Sequence, residues 1–209
     1  MKLESGSLRS NERIPRQNAM GVPGEAGPEP GPNKSPELAW SGFPAGTRSF
    51  ALLCVDPDAP QNKDDANKPD RKIPQAAPRG DFYHWILVDI PPSLTRLVEG
   101  ADSDGITPKG KPSGKTDHGT RGINSYKEWF GDDPDMGGDY GGYDGPWPPF
   151  NDERVHRYVF TVYALGVPSL GLGERARGPE ALKAMRGKIL DQASLTLTYA
   201  LNPSAQPPP

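Results

Sequence analysis

Two aspartates and two histidines are the residues of this chain whose types best suit ligand or acid–base chemistry. Asp56 and Asp58 lie in the stretch Asp-Pro-Asp-Ala-Pro, immediately after an apolar run. His84 and His156 each adjoin a loop rich in proline and glycine. Two carboxylates beside two imidazoles can act as general acids and bases, hold a divalent metal ion, or form a polar pocket for a ligand. Spacing alone leaves these alternatives open.

Short apolar runs predict the strands that must position these side chains. Residues 48–55 are apolar on both faces, which is typical of a strand buried within a sandwich. Alternation along residues 82–90 places His84 on one face with Phe82, Ile86, Val88 and Ile90. Alternation along residues 156–164 likewise places on one face His156, Tyr158, Phe160 and Val162. Further strands are predicted in residues 37–42 and 194–201.

One segment, residues 178–192, has helical spacing. Gly178 suits the N-cap and Pro179 the first helical position. Apolar side chains then recur at the interval of a helix face that packs on a sheet, namely Leu182, Met185 and Ile189. Dense β-favouring runs joined by turn-rich loops predict an all-β-dominated domain with this helix packed alongside.

The length of 209 residues leaves room for one domain with a proper core, and we expect a single domain over residues 1–209. The 25 glycines and 26 prolines are concentrated in loops and at the end of the chain. The tail, residues 202–209, is rich in proline and is predicted to be flexible.

Charge and apolar content exclude several classes of protein. A net charge of −3 and a pI near 5.7 give no electrostatic footprint for nucleic acid. No apolar run approaches the roughly 18 residues that span a bilayer, and the first residues lack the apolar core of a signal peptide. We therefore expect a cytoplasmic protein without stable membrane insertion, in which the single cysteine, Cys54, is buried and reduced.

Four short motifs in order, D-P-D-A-P, H-W, G-P-x-P-P and H-R-Y, resemble the signature blocks of the phosphatidylethanolamine-binding protein family. The likeness runs from about residue 33 to residue 200 and is nearest to the prokaryotic, Raf-kinase-inhibitor-like branch. The resemblance implies a sandwich of two antiparallel sheets with a C-terminal helix and a small anion-binding pocket, for which no cofactor is required. Carried over residue by residue, the ligand-binding residues are Asp56, Asp58, His84, Gly145, Pro148, Pro149, His156 and Tyr158.

Such a pocket needs donors for an anion and an explanation for its carboxylates. A phosphate is attracted to imidazoles that are protonated or donate N–H, and to backbone N–H groups. The aspartates fit if each accepts from a histidine, from a protonated phosphate oxygen or from a ligand ammonium. A zwitterion such as phosphoethanolamine meets both demands. Arg157 is predicted to lie on the opposite strand face and to form a structural ion pair, and His118 is predicted to be solvated in a polar loop.

Two loops are longer than the family pattern that the chain resembles. These insertions, residues 61–80 and 124–142, flank the predicted pocket. These insertions either cover or narrow the pocket, create a partner surface with Trp129, Phe130 and Trp147, or are surface loops without a functional role.

The favoured function is a non-enzymatic binding or regulatory protein with a pocket for a small anionic or phosphorylated ligand, acting on a kinase or protease partner. The first alternative is a hydrolase that uses His84 or His156 as general base, although the chain has no G-x-S-x-G motif. The second alternative is a divalent metal site at the Asp/His cluster. The prokaryotic resemblance also makes a homodimer a reasonable expectation.

Overall fold

The computed structural model describes residues 1–208, and its long strands are those that the apolar runs predict. The strands are β1 (Lys2–Glu4), β2 (Gly21–Pro23), β3 (Pro28–Pro30), β4 (Leu38–Ser41), β5 (Ser49–Pro60), β6 (Arg79–Ile90), β7 (Arg96–Leu97), β8 (Gly114–Thr116), β9 (Gly119–Arg121), β10 (His156–Leu165) and β11 (Ile189–Tyr199). Two α-helices, α1 (Tyr126–Phe130) and α2 (Gly178–Met185), accompany them.

The central element is a six-stranded antiparallel sheet with the order β11-β10-β5-β6-β9-β8. The β10–β5 ladder pairs in continuous register, for example Phe160 with Cys54, and Cys54 in turn pairs with Trp85 of β6. Register shifts interrupt the β5–β6 ladder between Cys54 and Val55 and between Asp56 and Ala59. These irregularities lie where the predicted pocket residues begin, so the pocket forms where the sheet departs from regular pairing.

The sheet buries a core on each face, as the apolar character of residues 48–55 predicts. On one face Phe50, Leu52 and Cys54 pack against a smaller sheet with the order β1-β4-β7, which supplies Leu38 and Trp40. Phe50 touches this second layer directly, because its ring makes edge contacts with the rings of Trp40 and Phe43. Multiple antiparallel sheets with a buried interface confirm the predicted β-rich sandwich. Cys54 is a buried free thiol, as expected.

The opposite face of the large sheet is covered by α2. Ala181 and Met185 are fully buried against Ala51, Leu53 and neighbouring apolar residues of the large sheet. The helix begins at the predicted Gly178 and Pro179, although its N-cap is Arg177, whose N–H donates to the Glu180 carboxylate at 2.8 Å.

The predicted helix end is wrong. The helix stops at Met185 because Gly187 adopts φ +71°, and Ile189 begins β11. Ile189 is 40% exposed and belongs to no helix face, so the apolar residue at helical spacing was coincidental. The strand predicted for residues 194–201 therefore begins earlier, at Ile189, and is the last element of the chain.

Residues outside the sandwich are also held in place. Gln206 of the tail donates its N–H to the carbonyl of Glu153 and accepts from the N–H of Val155, both within 2.9 Å. The tail up to Gln206 therefore follows the surface of the domain, whereas Pro209 lies outside the described residues. No helix within residues 1–208 has the length and apolarity required to cross a membrane.

The Phe50 contact predicts a large stability effect. Phe50→Ala removes a fully buried ring that joins the two layers, so the free energy of unfolding should fall by about 3–5 kcal/mol. The control is Val98→Ala, at a side chain that is 60% exposed, where we expect a change within about 0.5 kcal/mol. Denaturant unfolding measures both, and a loss for Phe50→Ala below about 1 kcal/mol would contradict the packing described.

Candidate functional site

A cleft opens at the end of the sandwich where β5, β6 and β10 meet the loop before β10. It is a small site, with about 20 Å³ of volume open to the centre of a water molecule, which is room for a water or a similarly small group. Its lining consists of Asp56, Ala59, Pro60, Phe82, His84, Tyr126, Trp129, Trp147, Pro148, Pro149, His156 and Tyr158. The structure thus brings together six of the eight ligand-binding residues that the resemblance implies.

Local strand chemistry fixes the carboxylate of Asp56. Pro57 has no N–H and cannot continue the ladder with β6, so pairing resumes only at Ala59. Across this break, the N–H of Asp58 donates to Asp56 Oδ1 at 2.7 Å. This short-range bond holds the carboxylate of Asp56, which is 3% exposed, at the wall of the cleft.

Asp58 does not line the cleft. The broken register turns its side chain to the other side of the sheet, where Oδ2 accepts from Arg157 Nε at 2.7 Å and Oδ1 from Arg154 at 3.1 Å. Oδ2 also accepts the backbone N–H of Arg157, where β10 lacks a main-chain partner on β5. Burial would raise the pKa of Asp58, but the bonds from Arg157 and Arg154 lower it. The predicted structural pairing of Arg157 is confirmed, and its partner is Asp58.

His156 lies between two carboxylates. Its Nδ1 is 2.7 Å from Asp56 Oδ2, and its Nε2 is 3.1 Å from Asp152 Oδ2. Burial by itself lowers the pKa of His156, but the charge of Asp56 and the bonds with both carboxylates raise it to about 9. The ring is therefore a cation at neutral pH, and both of its N–H groups are already donated.

Arg79, the first residue of β6, completes this cluster. Its guanidinium binds Asp152 in a bidentate pair, with N–O distances of 2.6 and 3.0 Å. It also donates to the carbonyls of Pro74, Ala77 and Asp58, which fixes the end of the 61–80 insertion. Two buried carboxylates are thus matched by two cations, as burial of charge demands.

His84 has the opposite protonation state. Its Nδ1 is 2.8 Å from the carbonyl oxygen of Asp144. Because a carbonyl only accepts, Nδ1 carries the proton. Burial lowers the pKa of His84 to about 4, against the opposing charge of Asp56. The ring is neutral at physiological pH, so its Nε2 is an acceptor. At neutral pH the ring therefore presents an acceptor to the cleft, and the role of His84 in ligand binding stays a prediction.

The predicted face of His84 also needs correction. The register shift beside Val55 inserts one extra residue in β6, so strict alternation fails there. As a result His84 joins Phe82 at the cleft, whereas Ile86 and Val88 pack in the core under α2. The equivalent prediction for β10 is confirmed: His156 and Tyr158 line the cleft, and Phe160 and Val162 continue the same face into the core.

Tyr158 carries an orphan hydroxyl. Its side chain is fully buried, and its hydroxyl makes no hydrogen bond within residues 1–208. Burial, with a further contribution from the charge of Asp56, raises its pKa well above the usual value. The hydroxyl therefore stays protonated and is available to a group that enters the cleft.

Gly145 lies behind the wall instead of in it. A Cβ at this position would approach the carbonyl oxygen of Asn18 to 2.1 Å, so only glycine fits there. Its N–H donates to Asn33 and its carbonyl accepts from the Tyr126 hydroxyl at 2.7 Å. The loop instead presents to the cleft Trp147, Pro148 and Pro149.

The sequence indicated that the insertions with Trp129 and Trp147 flank the pocket, but it did not identify Tyr126 or assign these rings to the lining. The 124–142 insertion folds into α1 and supplies Tyr126 and Trp129 to the cleft. Lys63 of the other insertion donates to the carbonyls of Glu128 and Trp129 at the end of α1, at 3.1 and 2.9 Å. The insertions therefore contact each other and narrow the cleft. A run of aromatic residues in 124–142 was the available signal for this role.

His118 is not the solvated residue that its loop predicts. Its Nε2 is 2.7 Å from Asp102 Oδ1, and Asp102 also accepts from Arg121 and Trp85. This network lies outside the cleft lining, and through Asp102 it links Arg121 of β9 to Trp85 in the middle of β6.

The cluster around His156 predicts a distinctive pH response. The pKa of His156 is about 9 in the folded chain and near 6.5 in the unfolded chain. The contribution of this ring to the free energy of unfolding is therefore complete below pH 6.5 and is lost as the pH rises through 9. For His84 the folded pKa is depressed, so its contribution is present above pH 6.5 and is lost as the pH falls towards 4.

Ring NMR of the two histidines across pH 3–10 should show His156 protonated up to about pH 9 and His84 neutral down to about pH 4. From these two rings, the free energy of unfolding should have a maximum near pH 6.5, fall towards pH 4 as His84 opposes protonation, and fall towards pH 9 as His156 loses its proton. Titration of both rings near pH 6.5 would contradict the described pairing.

Comparison with known proteins places this architecture among relatives. The model of the family described as phosphatidylethanolamine-binding protein matches residues 4–200. The chain is 30% identical over 204 residues to the UPF0098 protein YbhB of Escherichia coli, covering 96% of this chain and 100% of YbhB. It is 34% identical over 169 residues to a UPF0098 protein of Methanothermobacter thermautotrophicus, covering 81% and 84% of the two chains.

Solved structures agree on the fold. The crystal structure of Escherichia coli YbcL, described as a new member of the mammalian PEBP family, aligns with a TM-score of 0.67 at 24% identity. It covers 95% of this chain and 97% of YbcL. The PEBP homologue CT736 of Chlamydia trachomatis aligns with a TM-score of 0.62 at 26% identity, covering 95% of both chains. The chain therefore belongs to the phosphatidylethanolamine-binding protein family.

Proposed function

We propose that the chain is a non-enzymatic binding protein whose cleft takes the polar head of a small phosphate-bearing ligand and thereby regulates a protein partner. The observation that carries this proposal is the orphan Tyr158 hydroxyl, buried in a cleft whose other polar side chains come from three different strands. A buried donor without an acceptor is costly, and a ligand oxygen would satisfy it.

The polar groups fit a head group that both donates and accepts. Asp56 and Nε2 of His84 are acceptors, and Tyr158 is a donor. A phosphate monoester that keeps one proton can donate to the acceptors and receive from Tyr158. A phosphoethanolamine head can do the same with its ammonium. We therefore keep the ligand class predicted from the sequence, a small phosphate-bearing molecule. The ligand must also carry a hydrogen-bond donor of its own.

The arrangement of the histidines gives less support to the hydrolase alternative. A general base needs a free ring nitrogen, and both nitrogens of His156 already bind carboxylates. His84 has a free nitrogen but a pKa of about 4, so it is a weak base. The lining also contains no serine, threonine or cysteine to serve as nucleophile.

The metal alternative lacks a suitable ligand cluster. Within residues 1–208 no three His, Cys, Asp or Glu side chains are arranged to hold a metal ion. The two carboxylates beside His156 are committed to His156 and, through Asp152, to Arg79.

The partner surface in this proposal surrounds the cleft opening. Trp129, Phe130 and Trp147 are half-buried there, on the second insertion and on the loop before β10. Aromatic side chains of this kind are enriched at protein–protein interfaces, and a kinase or a protease is the partner class that we propose.

Ligand binding should be visible at the two histidines. Phosphoethanolamine at millimolar concentration should shift the ring resonances of His84 and His156, because both rings line the cleft, while the resonances of His118 stay in place. Generic esters should show no turnover in the same samples. Unchanged shifts at both cleft rings would overturn the proposal, and ester hydrolysis that disappears in His156→Ala would favour the hydrolase.

The Tyr158 hydroxyl should contribute a single hydrogen bond to the ligand. Tyr158→Phe should weaken phosphoethanolamine binding by about 2- to 10-fold, which corresponds to roughly 0.5–1.5 kcal/mol. Tyr163→Phe is the matched control, since Tyr163 is on the same strand but packs on the opposite face. Calorimetry measures both, and equal affinities for the two variants would show that the hydroxyl does not face the ligand.

A further inference from the structure

We propose that the end of the large sheet opposite the cleft docks on an anionic lipid bilayer through a patch of four cations and two exposed aliphatic side chains. This basic end patch consists of Arg48, Lys183, Arg186, Lys188, Ile189 and Leu190. It shares no residue with the cleft lining, so the inference goes beyond the proposed function and does not depend on it.

Main-chain bonds bring the segments of the basic end patch together. Leu165, the last residue of β10, pairs with Ile189, the first residue of β11. The carbonyl of Leu165 accepts the N–H of Arg48 at 2.8 Å, and the N–H of Gly166 donates to the carbonyl of Lys188 at 2.9 Å. The residues before β5, after α2 and at the start of β11 therefore form one surface.

Strand β10 separates this surface from the cleft. Its first residue, His156, lines the cleft, and its last residue, Leu165, lies at the basic end patch. An extended strand of 10 residues spans about 30 Å, at roughly 3.3 Å per residue. A chain that docks through the patch therefore holds the cleft away from the bilayer and open to solution.

The four cations of the basic end patch are free to bind a partner. None of them forms an ion pair with a carboxylate of residues 1–208. The arginines just before α2 differ, because Arg175 binds Asp139 and Arg177 binds Glu128. On a chain with a net charge of −3, these four cations concentrate positive potential at one end.

The carboxylates at this end of the sheet are engaged with other groups. Asp191 of β11 binds the amino group of Met1 at 2.8 Å. Asp89, near the end of β6, accepts from the hydroxyl of Ser169 and from the N–H of Leu170, both at 2.7 Å. Neither carboxylate binds a cation of the basic end patch, so the positive charge remains available.

Two aliphatic side chains lie among these cations. The large apolar side chains that are exposed within residues 1–208 are Val98, Ile189 and Leu190, so two of the three are adjacent in the basic end patch. The preceding turn is open to solvent, since a Cβ at Gly187 would meet no atom within 4 Å. Exposed aliphatic side chains flanked by Lys and Arg are typical of surfaces that enter the headgroup region of anionic bilayers.

The composition of the basic end patch favours a lipid surface over a protein partner. Protein–protein interfaces are enriched in aromatic residues and depleted in lysine. The patch has two lysines and no aromatic side chain. An anionic bilayer attracts flexible cations without requiring a fixed geometry, and this attraction weakens as salt screens it.

Co-sedimentation of the full chain with vesicles at neutral pH tests the inference. Phosphatidylcholine vesicles with about 30% phosphatidylglycerol are compared with vesicles of phosphatidylcholine alone. We expect binding to the anionic vesicles at about 50 mM salt, at least about 10-fold weaker binding at about 500 mM salt, and little binding to the neutral vesicles. Equal binding to both vesicles, or none to the anionic vesicles at low salt, would overturn the inference.

A triple variant locates the surface that binds. Lys183→Gln, Arg186→Gln and Lys188→Gln together should weaken binding to the anionic vesicles by at least about 10-fold. The control removes the same charge from exposed lysines elsewhere, through Lys68→Gln, Lys109→Gln and Lys115→Gln, and should change binding by less than about 2-fold. Equal losses in the two triple variants would show that net charge alone acts and would overturn the inference.

The aliphatic pair is tested in the same assay. Ile189→Thr with Leu190→Thr should weaken binding by about 3-fold or more at constant salt, because threonine contributes less apolar surface to the headgroup region. Val98→Thr is the control, at the remaining exposed aliphatic side chain. Thermal unfolding confirms that each variant is folded.

Two further outcomes assign the partner and separate this inference from the proposed function. Binding to polyglutamate without binding to the vesicles would assign the basic end patch to an acidic protein and overturn the lipid inference. Free phosphoethanolamine should leave vesicle binding unchanged, and competition between the two would contradict the separation of patch and cleft. Loss of phosphoethanolamine binding by the cleft would overturn the proposed function alone.

Discussion

The cleft depends on the imidazolium of His156 held between the carboxylates of Asp56 and Asp152. A buried charge without a partner is strongly unfavourable, and here Arg79 supplies the second cation that two carboxylates require. This interaction joins β5, β6, β10 and the loop before β10 at one point. It also determines the electrostatics of the cleft, because both N–H groups of the His156 cation are donated to carboxylates of the protein and none is left for a ligand. The group of this cluster that a ligand can reach is the carboxylate of Asp56, which accepts hydrogen bonds.

Two irregularities of the large sheet serve this arrangement. Pro57 interrupts the β5–β6 ladder and separates Asp56 from Asp58, so that one carboxylate lines the cleft while the other binds Arg157 and Arg154. The extra residue in β6 brings the imidazole of His84 to the same wall. Asp56 and Asp58, two residues apart, therefore have different roles, as do the two histidines of the cleft, and burial with local pairing decides which role each has.

The sequence was sufficient for the long strands, for the alternation along β10 and for the structural pairing of Arg157, because each follows from local periodicity. It was insufficient for the face of His84, because the bulge in β6 reverses alternation without a local pattern that marks it, and for Asp58, because Pro57 indicates a break but not which carboxylate faces the cleft. The partners of His156 and His118 depend on Asp152 and Asp102, which only the tertiary structure brings near. The end of α2 was misjudged because Ile189 fits a helix spacing by chance, while the positive φ of Gly187 ends the helix. The aromatic wall required knowing that the 124–142 insertion folds over the cleft.

A co-crystal structure with phosphoethanolamine tests the central claim most directly, because it locates the ligand among the cleft residues. The account predicts ligand atoms within about 3 Å of the Tyr158 hydroxyl oxygen and of an Asp56 oxygen, with His156 still bonded to Asp56 and Asp152. A ligand bound outside the cleft, or a His156 ring that leaves its carboxylates to bind the ligand, would contradict the account.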